Sequence, residues 1–362
     1  MKKRVIHIVE SNRWTPTAQY ALNVCVGLAR EGVETLVYTR DAKVVDTPFR
    51  NAGIQIRHIP LGGYLDFPSV FLLARDFRKE EQGTVIHVHR YRDAFIILLA
   101  RKLARRKDIR VIHTRHKIQR AFDTWLLRRV YRNLDAQIFI SQMARDRFLS
   151  TWDKEYPFDA SRLHVIFTSL STNPLSPLPF KERGPVTAMY CGSLEPGKGL
   201  EILIDAIYRL REVKGRLRIY GSGNPDYVDS LRRRAQARGV MEMIDWKKDD
   251  GHPEESLREC DFGVMPSVRP EVFGVSNLLF LAAGRPIVAT NNGAQTEYLR
   301  DGVDSILVPP ANAAALGDAL VAIASDAALR HSMGEAAFNT FRHRLSWPHF
   351  RRSLFRLYFP KE

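Results

Sequence analysis

The chain has 362 residues, too many for one ordinary core and about right for two domains; 45% hydrophobic and 26% charged residues, with no low-complexity tract, describe a globular protein. Its longest apolar runs, such as residues 94–100, are far shorter than a bilayer span. Lysine and arginine number 55 against 40 acids, a net +15, and the excess is lopsided: residues 1–180 carry 30 basic and 17 acidic side chains, the remainder 25 and 23.

Met1-Lys2-Lys3-Arg4 imitates the charged start of a signal peptide, but Val5–Val9 is short and stops at Glu10, so a first strand is expected there. Cys25, Cys191 and Cys260 are widely spaced in apolar segments and read as reduced core residues of a cytoplasmic protein. Tyr20, Ala21, Val24 and Leu28 recur at helical spacing. Strands are then expected at 35–39, 54–59, 85–89, 110–114, 137–141 and 164–167, mostly with helical segments between them. Continuous apolar strands separated by helices give a mostly parallel sheet covered on both faces, with ligands at the carboxyl ends of its strands.

The cations are densest from Arg101 to Arg132. Such a run attracts phosphates, and an anionic membrane surface is the expected partner, on the inner face of the cytoplasmic membrane. A solvated helix face is the plainer reading of the same residues. No stacking aromatics or module signature accompany it, so nucleic acid is not expected.

Pro174, Pro177 and Pro179 mark a linker, because three prolines in six residues suit neither sheet nor helix interior. The alternation then restarts: strands at 187–191, 216–220, 262–265, 286–289 and 305–308, and helices from Gly199, from Pro225 and near Ser276. Asn312 can cap a helix whose core stripe is Leu316, Leu320 and Ile323, and Trp347–Tyr358 is a last amphipathic helix. The division expected is a first domain of residues 1–172, a linker at 173–183 and a second domain at 184–344, followed by the last helical segment, 345–362.

Three stretches carry chemistry. Tyr190-Cys191-Gly192-Ser193-Leu194-Glu195-Pro196-Gly197-Lys198-Gly199 runs from a strand through three glycines to a lysine and a helix, a phosphate-friendly arrangement that is also a common tight turn. Pro266 to Ser276 sets Arg269 and Glu271 at a second strand-to-helix turn, which a capped loop with a surface ion pair would equally explain. Gly284 to Glu297 ends a third strand in a polar glycine turn. In this order and spacing they resemble the nucleotide-binding half of retaining glycosyltransferases of the GT-B fold, specifically family 4. Trp14 with Gln19-Tyr20, His87-Val88-His89 and Thr114-Arg115-His116 extend the likeness to the first half.

The resemblance implies two doubly wound Rossmann-like domains facing a cleft, an acceptor-side domain of residues 1–172, to which the C-terminal helix in 345–362 crosses back, and a nucleotide-sugar-binding domain of residues 184–344. It also implies that Lys198 neutralises the departing diphosphate, that Glu271 serves the transferred sugar, and that Gly274 with the amides of Val275 and Ser276 faces phosphates. His89 belongs near the sugar from the other wall. Gly192, Ser193, Arg269 and Phe273 complete the donor side; Thr15, Thr17, Arg92, Arg115 and His116 form the acceptor side. The acceptor expected is a glycan or lipid-linked saccharide. No cofactor is expected: His87 and His89 share a sheet face, but the spacing supplies no third ligand, His7 reads equally as core, and no Asp-x-Asp appears.

Three positions depart from the family pattern. Ser193 stands where an arginine is usual, Leu279 replaces the second glutamate of a pair eight positions apart, and the loop Trp14-Thr15-Pro16-Thr17-Ala18 lacks glycine. Arg269 can restore the charge, and Ser276, one helical turn before Leu279, can partly serve the ribose. These departures motivate a second reading, a non-catalytic binding or assembly partner. A sugar-nucleotide epimerase would need a second acid/base group, and Gly221-Ser222-Gly223-Asn224-Pro225-Asp226 lacks one glycine of a nicotinamide fingerprint.

Overall fold

A computed structural model describes residues 3–121, 124–152, 159–171, 176–180, 184–249, 251 and 253–360. The chain divides into two compact units, Met1–Thr172 with Trp347–Glu362, and Asn173–Ser346. Each is a parallel sheet with helices on both faces.

In the first unit β1 (Arg4–Val9), β2 (Glu34–Thr39), β3 (Gln55–His58), β4 (Val85–Val88), β5 (Arg110–Arg115), β6 (Ala136–Phe139) and β7 (Leu163–Val165) lie in the order β3-β2-β1-β4-β5-β6-β7. The winding reverses between β1 and β4, which pair in parallel with His7 opposite His87. β1, β2, β4, β5 and β6 are buried on both faces, which is why they read as apolar runs, whereas the edge strand β3 is mostly exposed. Their ends differ from the expected ones by a few residues: β4 stops at Val88, so His89 sits on the turn that follows it.

The second unit repeats the plan with β8 (Thr187–Cys191), β9 (Arg216–Tyr220), β10 (Ile244–Lys247), β11 (Phe262–Met265), β12 (Ile287–Thr290) and β13 (Ser305–Val308), ordered β10-β9-β8-β11-β12-β13. The periodicity misses β10 because an edge strand keeps one wet side: Asp245 pairs with Arg218 of β9 at 2.9 Å and Lys247 is exposed. β12 starts one residue late because Pro286 has no N–H to give the ladder.

The helix Trp347–Tyr358 packs on the first sheet, burying Trp347, Phe350, Leu354 and Tyr358 against Val5, Val24, Leu28 and Ile138. Each such side chain contributes roughly 1.5–3 kcal/mol of burial. Gly27 is required beneath it, since an added Cβ would lie 2.1 Å from the Trp347 ring. Of the proline-rich segment, residues 172–175 and 181–183 lie outside the described residues, and residues 176–180 are pinned to the second unit. The buried Arg285 donates to the carbonyls of Leu178 (3.0 Å) and Pro179 (2.7 Å), with its guanidinium 4.4 Å from the centre of the Phe180 ring.

Candidate functional site

At the switch point of the second sheet the two glycine-bearing turns pack on each other. Gly192, at φ +155°, faces Ser276: a Cβ added there would stand 3.6 Å from Ser276 Oγ. The Tyr190 hydroxyl donates to the Ser193 carbonyl at 2.7 Å and closes the loop. Gly197 and Gly199 take φ of +93° and +76°. A Cβ on Gly197 would stand 2.7 Å from Arg269 Cδ, and one on Gly199 would stand 1.9 Å from the Pro266 carbonyl oxygen. Glycine is thus demanded twice here, by conformation and by the second turn lying against the first.

That packing sets Lys198 beside Glu271. Lys198 Nζ donates to Glu271 Oε1 at 2.7 Å, and Ser267 Oγ donates to the same oxygen at 2.5 Å. Gly274, at φ +78°, opens the helix Val275–Ala282 without a side-chain cap, and its carbonyl accepts from Asn277 N at 3.0 Å. Phe273 is buried against Tyr298, whose hydroxyl donates to the Phe273 carbonyl at 2.5 Å. Val275 is exposed, and Ser276 and Leu279 are half-buried. Arg269 is exposed, lays its stem over Gly197, and has no acidic partner among the described residues. Sequence reasoning missed Ser267 and Tyr298; Ser267, two residues past the end of β11, carried a positional signal, whereas Tyr298 is recruited from 25 residues beyond Phe273.

The first unit gathers histidines. His7 Nδ1 lies 3.1 Å from His89 Nε2, and His89 Nδ1 lies 3.1 Å from His116 Nε2, forming a chain from β1 to the turn after β5. His87 bonds the Tyr358 hydroxyl through Nδ1 and Thr114 Oγ1 through Nε2, both at 2.6 Å. Burial pushes His7 and His116 down to about 3 and holds His87, His89 and His113 well below the ordinary imidazole range, so all five are neutral at pH 7. His7, His87 and His89 each bring a ligand atom within 4.8 Å of the others. This corrects the expectation that no third ligand accompanies His87 and His89: parallel pairing of β1 with β4 supplies one from 80 residues away, invisible to local spacing. Both nitrogens of His87 are already engaged by hydroxyls, so the group reads as a hydrogen-bonded chain that orients His89.

His89 and His116 border a cavity of about 770 Å³ at the carboxyl end of the first sheet. Thr15, Thr17, Arg92 and Arg115 line it as well. Thr15 caps the following helix, its Oγ1 accepting from Ala18 N at 3.2 Å, which explains how a loop without glycine still holds a fixed shape. Glu10 was not anticipated, although its place directly after β1 marks it. It pairs with Arg40 at 3.2 Å, Arg92 at 2.8 Å and Arg90.

The basic segment is not one solvated face. Arg101 is tied to Asp135 at 2.6 Å, Arg106 to Asp108 at 2.7 Å and to the carbonyls of Phe77 and Glu80, and Arg110 to the Leu357 carbonyl at 3.1 Å. Arg115 is buried. Lys102, Arg105, Lys107, Lys117, Arg120, Arg129 and Arg132 remain exposed.

Glycosyltransferase Family 4 matches residues 17–173, and Glycosyl transferases group 1 matches residues 185–326. The chain is 28% identical to a phosphatidyl-myo-inositol mannosyltransferase of Mycobacterium leprae, over 80% of this chain and 77% of the relative. It is 24% identical to a D-inositol 3-phosphate glycosyltransferase of Jonesia denitrificans, over 91% and 87%. The crystal structure of HepE from Anabaena in complex with UDP superposes with a TM-score of 0.79 at 17% identity, covering 97% of this chain and 98% of that one. With both units matched in sequence and the whole chain matched in fold, this protein belongs to the group 1, family 4 glycosyltransferases, hexosyl-transferring enzymes built on the GT-B fold.

Proposed function

We propose that this enzyme moves a hexose from a nucleotide-sugar donor to a lipid-linked or cell-envelope saccharide acceptor, with retained stereochemistry and without a metal. The carrying observation is the Lys198–Glu271 pair at 2.7 Å, set between the glycine loop and the uncapped helix start at Gly274. A departing nucleoside diphosphate needs positive charge, and Lys198, the amides after Gly274 and the overlying Arg269 supply it. Glu271 puts a carboxylate beside the same ammonium, where it serves the oxocarbenium-like carbon whose bond to the diphosphate breaks. His89, held neutral between His7 and His116, is a hydrogen-bonding group for the sugar and not a cation competing with Lys198. The UDP held by HepE and the phosphoinositide and inositol phosphate in the names of the bacterial relatives support this reading.

Thermal unfolding against nucleoside diphosphates and their sugars tests it. One nucleotide sugar should stabilise the wild type and fail with Lys198→Ala. Failure of every donor at millimolar concentration would favour the non-catalytic partner, a reading that the apolar Leu279 on the donor helix supports. Docking on the cytoplasmic membrane rests on the exposed cations of the first unit; among the described residues no helix is long and apolar enough to cross a bilayer.

A further inference from the structure

The third glycine turn of the second unit, which follows β12, lies against the turn that carries Glu271. Ala294 N donates to the Glu271 carbonyl at 2.7 Å, and a Cβ added to Gly293 would stand 2.3 Å from Glu271 N. Beneath this contact a chain of uncharged polar side chains runs through the core to the Glu271 carboxylate. The Tyr298 hydroxyl donates to the Phe273 carbonyl and lies 3.2 Å from that of Gly274. Asn277 Nδ2 donates to the Tyr298 hydroxyl at 2.9 Å and to Gln295 Oε1 at 3.1 Å. Gln295 Nε2 donates to the Thr290 carbonyl at 2.5 Å, and Thr290 Oγ1 donates to the Ser267 carbonyl at 2.8 Å. Ser267 Oγ then donates to Glu271 Oε1 at 2.5 Å. Ser267, Asn277, Gln295 and Tyr298 are fully buried, and Thr290 is nearly so.

Amides and hydroxyls in a core add little net stability, because they exchange bonds to water for bonds to each other. Apolar side chains of similar volume would fill the same space without that exchange. What the polar chain supplies is direction. Turning the Asn277 amide over would set its Oδ1 against Gln295 Oε1, two acceptors face to face, so the hydrogen bonds fix one arrangement along the whole chain. Glu271 is held at both ends as a result, at its carboxylate through Ser267 and at its backbone through Ala294.

We infer that Asn277, Thr290, Gln295 and Tyr298 are positioning residues for transfer: they form a buried frame that fixes the turn from Ser267 to Gly274, keeps Glu271 Oε1 on Lys198 and Ser267, and so presents Oε2 to the transferred sugar. None of the four needs to touch substrate; they act through Ser267 and through the carbonyls of Phe273 and Gly274. The word sugar rests on the proposed function, while the frame's hold on the turn stands on its own geometry. A carboxylate set this way loses rate when it is misplaced by a fraction of an ångström, even where binding survives.

Two measurements on the full chain test it. In amide hydrogen exchange, Gln295→Leu should speed exchange of residues 268–274 by at least roughly tenfold and leave β9 of the same unit unchanged. The nearly isosteric Thr290→Val gives the same contrast should Gln295→Leu misfold. Unchanged exchange in the turn, or equal acceleration in β9, overturns the proposal, the second because it marks a merely structural role. The other measurement is release of UDP from UDP-glucose. Thr290→Val should lower kcat by about tenfold and leave KM within about twofold, and Thr290→Ser, which keeps the hydroxyl, should restore the rate. Wild-type turnover in Thr290→Val, or no rescue by Thr290→Ser, also overturns it. A wild type that releases no UDP counts against the proposed donor reading, while the exchange contrast still decides the frame.

Discussion

Replacing Lys198 by alanine removes the ammonium that lies 2.7 Å from Glu271. The pair is partly open to solvent, with 30% of the lysine side chain and 11% of the glutamate exposed. Its loss should therefore change the ligand-free stability by no more than about 1 kcal/mol, roughly 2–4 °C for a unit of this size. The effect on donor binding is larger, because a hydrogen bond from an ammonium to phosphate is worth about 1.5–3 kcal/mol, or about 10- to 150-fold in affinity. At a donor concentration near 100 times the wild-type dissociation constant, the wild type gains about 2.7 kcal/mol of stability. The variant, with its affinity reduced by that factor, should gain only about 0.3–1.4 kcal/mol under the same conditions. Differential scanning calorimetry with and without donor reads both quantities. A donor-induced shift in Lys198→Ala equal to that of the wild type would refute the assignment of this lysine to the diphosphate.

Four further outcomes follow from the same geometry. Leu279→Glu restores a carboxylate one turn after Ser276 and should tighten nucleotide binding by roughly tenfold in a direct titration. Buried His7, lowered to about 3 against an unfolded value of 6.5, binds its proton only in the unfolded state; stability is full above pH 6.5 and falls as the pH drops towards 3, by up to about 1.4 kcal/mol per pH unit. Asp93, raised to about 6 by burial, opposes this in sign, and His7→Gln should flatten the acid limb of a stability-versus-pH curve. Gly27→Ala drives a methyl into the Trp347 ring and should cost about 1–3 kcal/mol, seen as a lower midpoint in urea unfolding. Co-sedimentation with anionic vesicles should fall steeply between low and high salt, and salt-insensitive binding would rule out an electrostatic dock.

Much of the fold was legible along the chain because a parallel sheet buried on both faces leaves a local mark: short β-branched runs at the right separation, each followed by a helical stripe. The candidate site of the second unit was legible for a related reason. Glycines, a lysine and a glutamate at strand-to-helix turns are consecutive in sequence, so Gly192, Lys198, Glu271 and Gly274 could be named before their packing was known. β10 escaped because it is a four-residue edge strand whose Asp245 and Lys247 break the apolar run that marks the inner strands, and the segment 176–180 proved pinned to the second unit by the distant Arg285.

What tertiary structure alone decided are relations between residues far apart in the chain. His7 meets His87 because β1 and β4 are neighbours across the switch point, a register that no window of sequence contains. Arg269 turned out to lie over Gly197, which spacing could only offer as a possibility. The basic segment, one run on paper, was sorted by folding into arginines that hold carbonyls and carboxylates, cations left at the surface, and the buried Arg115. Sequence carries side-chain chemistry and local periodicity; which charges are neutralised depends on the neighbours that long-range packing brings, and on the water it takes away.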